Sequence, residues 1–323
     1  MDDDDLWSPL IRDTDLQRQP LDLRALAPGR ALVFPCERSV GLHLVLHGRV
    51  WLHAEGLAAP LALGAGDLAL MARGCRHRLA LSDTLQGLDE QAIVPALPET
   101  LAPATDEGSA ATVVGGAWQV WHTPVHPLLA DLPAWHVVRA DTQAPDSPLA
   151  LAVALARHET GPARPGRRIV LQGLLDLLFV HALRAALAEA PAPRQPGWTQ
   201  AAQDPKIARV LARMHADCAR AWTLEDLARE AGLSRTLLAE RFRAALGDTP
   251  LNHLRTVRMQ RAMHLLATTG QRLESVAAAV GYQDAFAFSK VFKRMVGTSP
   301  AAFRKLDAAE RAHPWRFPRQ AGA

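Results

Sequence analysis

Between residues 30 and 80 the chain alternates short apolar runs with Gly and Pro breaks: ALVF over 31–34, LHLVL over 42–46, VWLH over 50–53 and DLALM over 67–71. Runs of this length and spacing predict strands of a small antiparallel barrel or roll. Residues 91–110, rich in Pro, Ala and acidic side chains, predict a surface loop. Strands are expected again over 111–114, 118–121 and 135–138. The period then lengthens. Leu149, Val153 and Ala156 recur at helical spacing within 147–159, and Leu171, Leu174, Leu175, Leu178, Ala182 and Ala185 do so within 167–188. The second stripe is broader than one barrel contact needs, so it suits either a helix packed on the barrel or a homodimer interface. Residues 191–197 are Pro-rich and read as a linker.

Beyond the linker the chain repeats itself. LEDLAREAG at 224–232 aligns with LESVAAAVG at 273–281, an offset of 49 residues. Phe242, Gly247 and Pro250 then align with Phe292, Gly297 and Pro300 at an offset of 50. Such self-similarity marks a structural unit used twice. In each copy a short amphipathic helix ends at a glycine, Gly232 or Gly281, that supplies the positive φ of a tight turn. In the first copy Ser234 is placed to cap a second helix. Leu238, Phe242 and Leu246 give that helix its buried face; Phe288, Val291, Phe292 and Met295 do the same in the second copy. A helix, a glycine turn and a second helix with a polar outer face make a helix-turn-helix unit, whose second helix enters a DNA major groove. Residues 251–267 read as one helix joining the copies, with Arg255, Arg258 and Arg261 along one side. Two recognition helices on one connector would reach major-groove segments about one helical turn, roughly 34 Å, apart.

This arrangement resembles the AraC family of bacterial transcription regulators over residues 203–306. The segment 276–304 carries the resemblance, with Gly281, Tyr282, Phe288, Phe292, Lys293, Gly297, Pro300 and Arg304 as its fixed points. The first copy fits through Leu227, Ala228, Gly232, Ser234, Phe242 and Pro250. With Leu238 and Phe242 turned inward, Arg235, Thr236, Ala239, Glu240 and Arg243 face outward. The resemblance implies base contacts at Thr236, Ala239 and Glu240. A glutamate accepts from a cytosine amino group, whereas an alanine offers only apolar contact, for example to a thymine methyl. On the second helix Asp284, Ala285, Ser289 and Lys290 face outward, followed by Lys293 and Arg294. Ser289 and Lys290 are the expected base readers. Lys293, Arg243, Arg255 and Arg258 are expected at phosphates or in structural roles. For any one outward arginine the alternative is a solvated surface charge.

Charge supports the division. Residues 201–323 hold 20 Lys+Arg against 11 Asp+Glu, a balance of +9, whereas residues 1–200 carry −6. A basic half joined to an acidic one suggests a polyanion partner for the basic half. Three cysteines in 323 residues are too few, and odd in number, for a disulfide-stapled scaffold. No apolar run reaches the roughly 18 residues that span a bilayer, and the MDDDD start is the opposite of a secretory leader. A cytoplasmic protein with no membrane partner is expected.

The N-terminal part resembles the cupin-type sensor domain fused to some AraC-family proteins, over about residues 6–190. Phe34, Pro35, His43, Gly48 and the segment 66–77 (GDLALMARGCRH) carry this resemblance, although Ala72 stands where a cupin motif has proline. The His-x-His spacing of cupin metal ligands is missing: His43 and His47 are four apart. A metal needs three or four convergent ligands, so no metal and no cofactor is expected. His43 and His77 are candidate ligand-binding residues instead. Cys36 and Cys75 form a possible redox pair outside any Cys-x-x-Cys motif; Cys218 reads as a packed thiol.

The expected fold is α+β: a cupin-like β-barrel with appended helices (1–190), a linker (191–202), an all-α double helix-turn-helix domain (203–308) and a tail (309–323). The expected function is sequence-specific binding of double-stranded promoter DNA as a transcription regulator. An unknown effector would act through the barrel domain, the protein would be a homodimer, and the resemblance favours activation by contact with RNA polymerase. No catalysis is required. The alternative is a metal-dependent cupin enzyme with an accessory helical domain.

Overall fold

In the computed structural model residues 17–18, 22–36, 39–93, 110–119, 132–160, 165–189 and 197–311 are described. They divide into two units, one of residues 17–119 and 132–189, the other of residues 197–311.

The first unit contains two facing sheets. Its strands are β1 (Gln17–Arg18), β2 (Asp22–Leu26), β3 (Arg30–Pro35), β4 (Ser39–His47), β5 (Arg49–Ala54), β6 (Leu61–Gly64), β7 (Leu68–Met71), β8 (Arg76–Ala80), β9 (Asp89–Ala92), β10 (Ala111–Gln119) and β11 (Trp135–Val138). One sheet runs β1-β10-β4-β7-β11, with β2 also on β10; the other runs β6-β5-β8-β3-β9. Neighbours are antiparallel except β3 and β9, which run parallel. Phe34, Val45, Leu52, Leu63, Met71, Leu79, Val113 and Trp135 pack between the sheets.

The near-continuous apolar run 42–46 now has a physical reason. Strand side chains alternate faces, and here both faces are covered. Val45 joins the core between the sheets, while Leu42, Leu44 and Leu46 lie buried on the opposite side. That side is roofed by two helices, α1 (Pro148–Glu159) on β4 and α2 (Arg167–Glu189) on β7 and β11. Each such leucine is worth about 2 kcal/mol of burial, so the helices are part of the fold. The stripe on α2 is core: Leu171, Leu174, Leu175, Leu178 and Ala182 are buried and Ala185 is half-buried. Of the two readings of this stripe, packing of the helix on the barrel accounts for it. A different set is exposed, Leu151 and Leu155 on α1 and Ile169, Val170 and Leu177 on α2. The length and composition of α2 also suffice to cross a bilayer, contrary to the count of apolar runs, but all of its leucines except Leu177 are spent on packing.

The strands expected over 111–114 and 118–121 are one strand, β10, that continues through Gly115 and Gly116; residues 120–121 lie outside the described residues. A Cβ on Gly115 would stand 3.1 Å from His43 Nδ1, so the glycine leaves room for a buried histidine rather than breaking the strand. The loop expected over 91–110 begins with the end of β9, and Ile93 still donates its backbone N–H to Val33. Residues 94–109 lie outside the described residues.

His43 on β4 and His77 on β8 meet across the two sheets, Nε2 to Nε2 at 2.7 Å. His77 Nδ1 lies 2.9 Å from the Cys75 carbonyl, which can only accept. His77 therefore carries its proton on Nδ1 and accepts on Nε2 from His43, leaving His43 Nδ1 as a bare lone pair without a hydrogen-bond partner. Phe34 and Trp135 stack around the pair. Burial, and for His43 also the neighbouring His77, keep both rings neutral: His77 is pushed down to about 4 and His43 well below its ordinary value.

The second unit is helical: α3 (Trp198–Gln203), α4 (Pro205–Ala216), α5 (Leu224–Ala231), α6 (Arg235–Leu246), α7 (Pro250–Thr268), α8 (Leu273–Ala279), α9 (Ala285–Val296) and α10 (Pro300–Arg311). The first two were not anticipated from the sequence. Trp198 on α3 is buried with its ring 5.4 Å from His253 on α7, and His253 lies 5.5 Å from Phe242 on α6. The first helix-turn-helix core is thus closed from outside its own repeat. The second core gathers Met259, Met263 and Leu266 of α7 with Val276, Phe288, Phe292 and Phe303. Three positions of the expected stripes differ: Val291 and Leu246 are half-buried and Met295 is exposed, the last two because they fall in the last turn beyond the aromatic core.

Gly281 adopts φ +80°, and a Cβ there would stand 2.4 Å from the Ala219 carbonyl oxygen. Gly281→Val should cost about 3 kcal/mol, from strain at positive φ plus this collision; urea unfolding checks it, and an unchanged midpoint with unchanged DNA affinity would refute the turn. A second expectation concerns acid. His77 is neutral in the folded state down to about 4 but protonates near its ordinary 6.5 when unfolded. Below 6.5 the unfolded state therefore binds more protons. Barrel stability should be full above that pH and fall by about 1.4 kcal/mol per pH unit towards 4. Urea titrations of the wild type at several pH values measure the slope; a flat profile between about pH 6.5 and pH 4 would contradict the neutral pair.

Candidate nucleic-acid interface

The two recognition helices are α6 and α9, and their ends are fixed by the punctuation of the sequence. Thr223 and Asp226 form a reciprocal capping box on α5, and Gly232 closes it in the left-handed region. Ser234 Oγ accepts from the Leu237 N–H at the start of α6. Asp284 caps α9: its two carboxylate oxygens accept from the N–H groups of Phe286 and Ala287 at 3.1 and 2.7 Å. Gly247 and Gly297 end the two helices, both at positive φ.

Burial sorts the side chains. Leu238 and Phe242 on α6, and Phe288 and Phe292 on α9, are completely buried. Arg235, Thr236, Glu240 and Arg243 are exposed on α6, with Ala239 half-buried between them. On α9 Lys290 and Lys293 are exposed, while Ala285 and Ser289 are half-buried. Asp284 is exposed, but its oxygens serve the cap, so its role visible in the structure is to start the helix. Ser289 Oγ donates back to the Ala285 carbonyl at 2.8 Å.

Two residues of this face escaped sequence reasoning. Phe286, in the first turn of α9, is 78% exposed. Leu237, in the first turn of α6, is also exposed. Their signal was available in the spacing: Phe286 sits two positions before the buried Phe288, and Leu237 one position before the buried Leu238. Past its cap α9 carries Lys290, Lys293 and Arg294 and no carboxylate, whereas α6 carries Glu240 among its arginines.

The expected division of the other cations holds for one residue. Arg258 on α7 is structural: its Nε donates to the Cys218 carbonyl and its Nη2 to the Arg220 carbonyl, each at 2.8 Å. It also lies 5.8 Å over the Tyr282 ring. This one guanidinium ties the loop between α4 and α5 to the turn of the second helix-turn-helix. Arg255 is exposed on the same helix.

In the barrel unit His43 and His77 are brought together, yet the place is shut. Both are buried and spend their facing nitrogens on each other. Among the described residues no group of three or more His, Cys, Asp or Glu converges as a metal would need. The three cysteines are outside any disulfide; burial pushes the Cys75 thiol up, away from the thiolate that reacts with oxidants.

Comparisons with known proteins agree with this geometry. Residues 8–188 match the family model described as Cupin, and residues 227–306 match the one described as Helix-turn-helix domain. A putative AraC-like transcription regulator from Streptomyces lividans is 31% identical over 290 residues, which are 89% of this chain and 94% of that protein. The HTH-type transcriptional regulator AlkR from Acinetobacter baylyi is 31% identical over 57% of this chain and 61% of its own length. Among solved structures, the DNA-binding domain of AdpA in complex with a target DNA is 33% identical over 33% of this chain and 95% of that one, with a TM-score of 0.30. Both curated relatives are named as transcription regulators, not as enzymes. The chain belongs to the AraC-like family of transcription regulators, with a cupin domain ahead of a helix-turn-helix DNA-binding domain.

Proposed function

We propose that this regulator reads promoter DNA with α6 and α9, and that α9 supplies most of the base discrimination. The observation that carries this is the outer face of α9, where Phe286, Ser289 and Lys290 lie along one side, with Lys293 one turn further on. Lys290 is suited to guanine acceptors and Phe286 to a thymine methyl. On α6 the contacts are Arg235, Thr236, Ala239 and Glu240, with Arg243 at a phosphate; on α9 Ala285 lies against the groove wall and Asp284 holds the helix end towards it. The barrel unit receives a small-molecule signal. A ligand can shift the regulator only through different affinities for two states.

The exposed leucines of α1 and the exposed Ile169, Val170 and Leu177 of α2 support a homodimer formed by a second copy of this chain. The domain limits proposed are 1–190, 191–202, 203–308 and 309–323. The protein works in the cytoplasm, where its DNA lies, and activates by touching RNA polymerase.

Lys290→Ala should cost about 1–3 kcal/mol of operator affinity and relax discrimination at one or two base pairs. Lys293→Ala should weaken all sequences alike and reduce the steepness of the salt dependence by about one. Phe286→Ala should cost about 1 kcal/mol at operators with thymine at its position and little elsewhere. Fluorescence anisotropy on operator fragments taken from genome-wide occupancy mapping reads all three. Wild-type binding and footprint in the Lys290 and Phe286 variants would reject α9 as the principal reader.

A further inference from the structure

The barrel unit holds a cavity of about 250 Å³ away from the buried histidines. It lies where the turn before β7, the end of β11, the short 3-10 turn Ala140–Thr142 and the helix α1 come together. Val138, Pro145, Leu149 and Val153 give it an apolar wall, and Arg139 and Arg157 enter it from two sides.

The two arginines are not equivalent. Arg139 is neutralised: its Nη1 donates to Asp67 Oδ2 at 2.8 Å and to the Ala62 carbonyl at 2.6 Å. Asp67 is itself held by the N–H groups of Gly64 and Ala140. Arg157 uses only its Nε, which donates to the Leu46 carbonyl at the end of β4. Among the described residues no carboxylate pairs with it. Arg157 lines the cavity, and among the described residues no hydrogen bond is made by its two terminal nitrogens, which form a planar fork. Gly66, at φ +95°, makes room for this: a Cβ there would stand 3.1 Å from Arg157 Nη2 and 2.9 Å from the Ala140 Cβ. A half-buried guanidinium with a free fork beside an apolar wall fits a planar carboxylate, which two parallel N–H bonds recognise.

We propose that this cavity is the effector site and that its ligand is a small monocarboxylate with a short apolar chain. The inference rests on the reading that the barrel unit receives a small-molecule signal. One unneutralised cation matches one negative charge, which favours a carboxylate over a phosphate dianion. At roughly 30 Å³ per non-hydrogen atom the volume holds about eight such atoms, the size of hexanoate. Bound there, the ligand bridges α1 to the barrel rim through Arg157, which already grips β4. It thereby fixes the stance of the helix that presents Leu151 and Leu155 at the surface.

Isothermal calorimetry of the full chain with acetate, butyrate, hexanoate and octanoate, the matching alcohols and inorganic phosphate tests this. Binding by the carboxylates, strongest near hexanoate, with none by the alcohols or phosphate, is expected. Arg157→Gln and, separately, Gln143→Glu at the cavity wall should each weaken hexanoate at least tenfold. The second variant leaves every contact of Arg157 in place, so it remains informative if the first fails to fold. No carboxylate binding at about 10 mM, equal binding of hexanol, or wild-type affinity in Gln143→Glu would overturn the proposal. Retention of promoter DNA by the same preparations separates the two claims: DNA bound with no carboxylate bound removes only the effector site, whereas DNA not retained removes the regulator reading beneath it.

Discussion

Arg258 donates two hydrogen bonds to backbone carbonyls forty and thirty-eight residues away, at Cys218 and Arg220, and recognition depends on what that bond pair holds in register. A helix-turn-helix unit can read DNA alone, but two units address one site only if their separation is fixed. The connector helix α7 contributes to both cores, His253 to the first and Met259, Met263 and Leu266 to the second. A shared helix sets the distance between two bodies but leaves them free to roll about it. The Arg258 clamp opposes that roll, because within the helical domain it fastens the loop ahead of the first helix-turn-helix beside the turn of the second. Gly281 belongs to the same contact, since its bare Cα lets the Ala219 carbonyl approach. Charged donors on carbonyls are among the stronger hydrogen bonds, about 1.5–3 kcal/mol each.

The barrel unit relies on a different constraint. Its two sheets are joined at the centre by a histidine pair that stays neutral, and one sheet is sealed on its outer side by α1 and α2. The first device makes the core sensitive to acid. The cavity beside Arg157 lies at the seam where α1 meets the barrel rim. The centre of the barrel, by contrast, is filled with Phe34, Trp135 and the two histidines.

The helical unit was legible in the sequence because its information is local. Gly232 and Gly281, the cap Ser234, and the stripes Leu238–Phe242 and Phe288–Phe292 each state their role within four or five residues, whereas Asp284 read as a groove-facing residue until its cap bonds were in view. The strands over 31–34, 42–46 and 67–71 were legible for the same reason. What stayed hidden is non-local. Helix α4 carries its own apolar spacing but lies before the repeat that drew attention. The α2 stripe could not show which surface covers it, because a helix packed on a sheet and one packed on a second copy need the same pattern. Gly115 and Gly116 read as a break until the histidine they accommodate is in view. The cavity is assembled from residues between 65 and 157, none of which forms a motif.

The two copies of the reader are alike in backbone and unlike in chemistry. At the shared offset Thr236 is replaced by Phe286, Ala239 by Ser289, Glu240 by Lys290 and Arg243 by Lys293. The exchange of Glu240 for Lys290 alters the charge at one position of the groove face by two units. Facing a phosphate-lined groove, a glutamate forfeits attraction that a lysine gains, each worth about 1 kcal/mol at 4 Å in water. The carboxylate is useful only where it finds an amino donor on a base edge. On this reading α6 contributes little affinity but rejects bases that leave Glu240 unpaired, while α9 contributes attraction and apolar contact together. Since an unpaired buried acceptor costs more than a made bond gains, the weaker helix can still be selective. The rigid coupling through Arg258 then becomes necessary: α6 can apply its penalty only because α9 holds it in place.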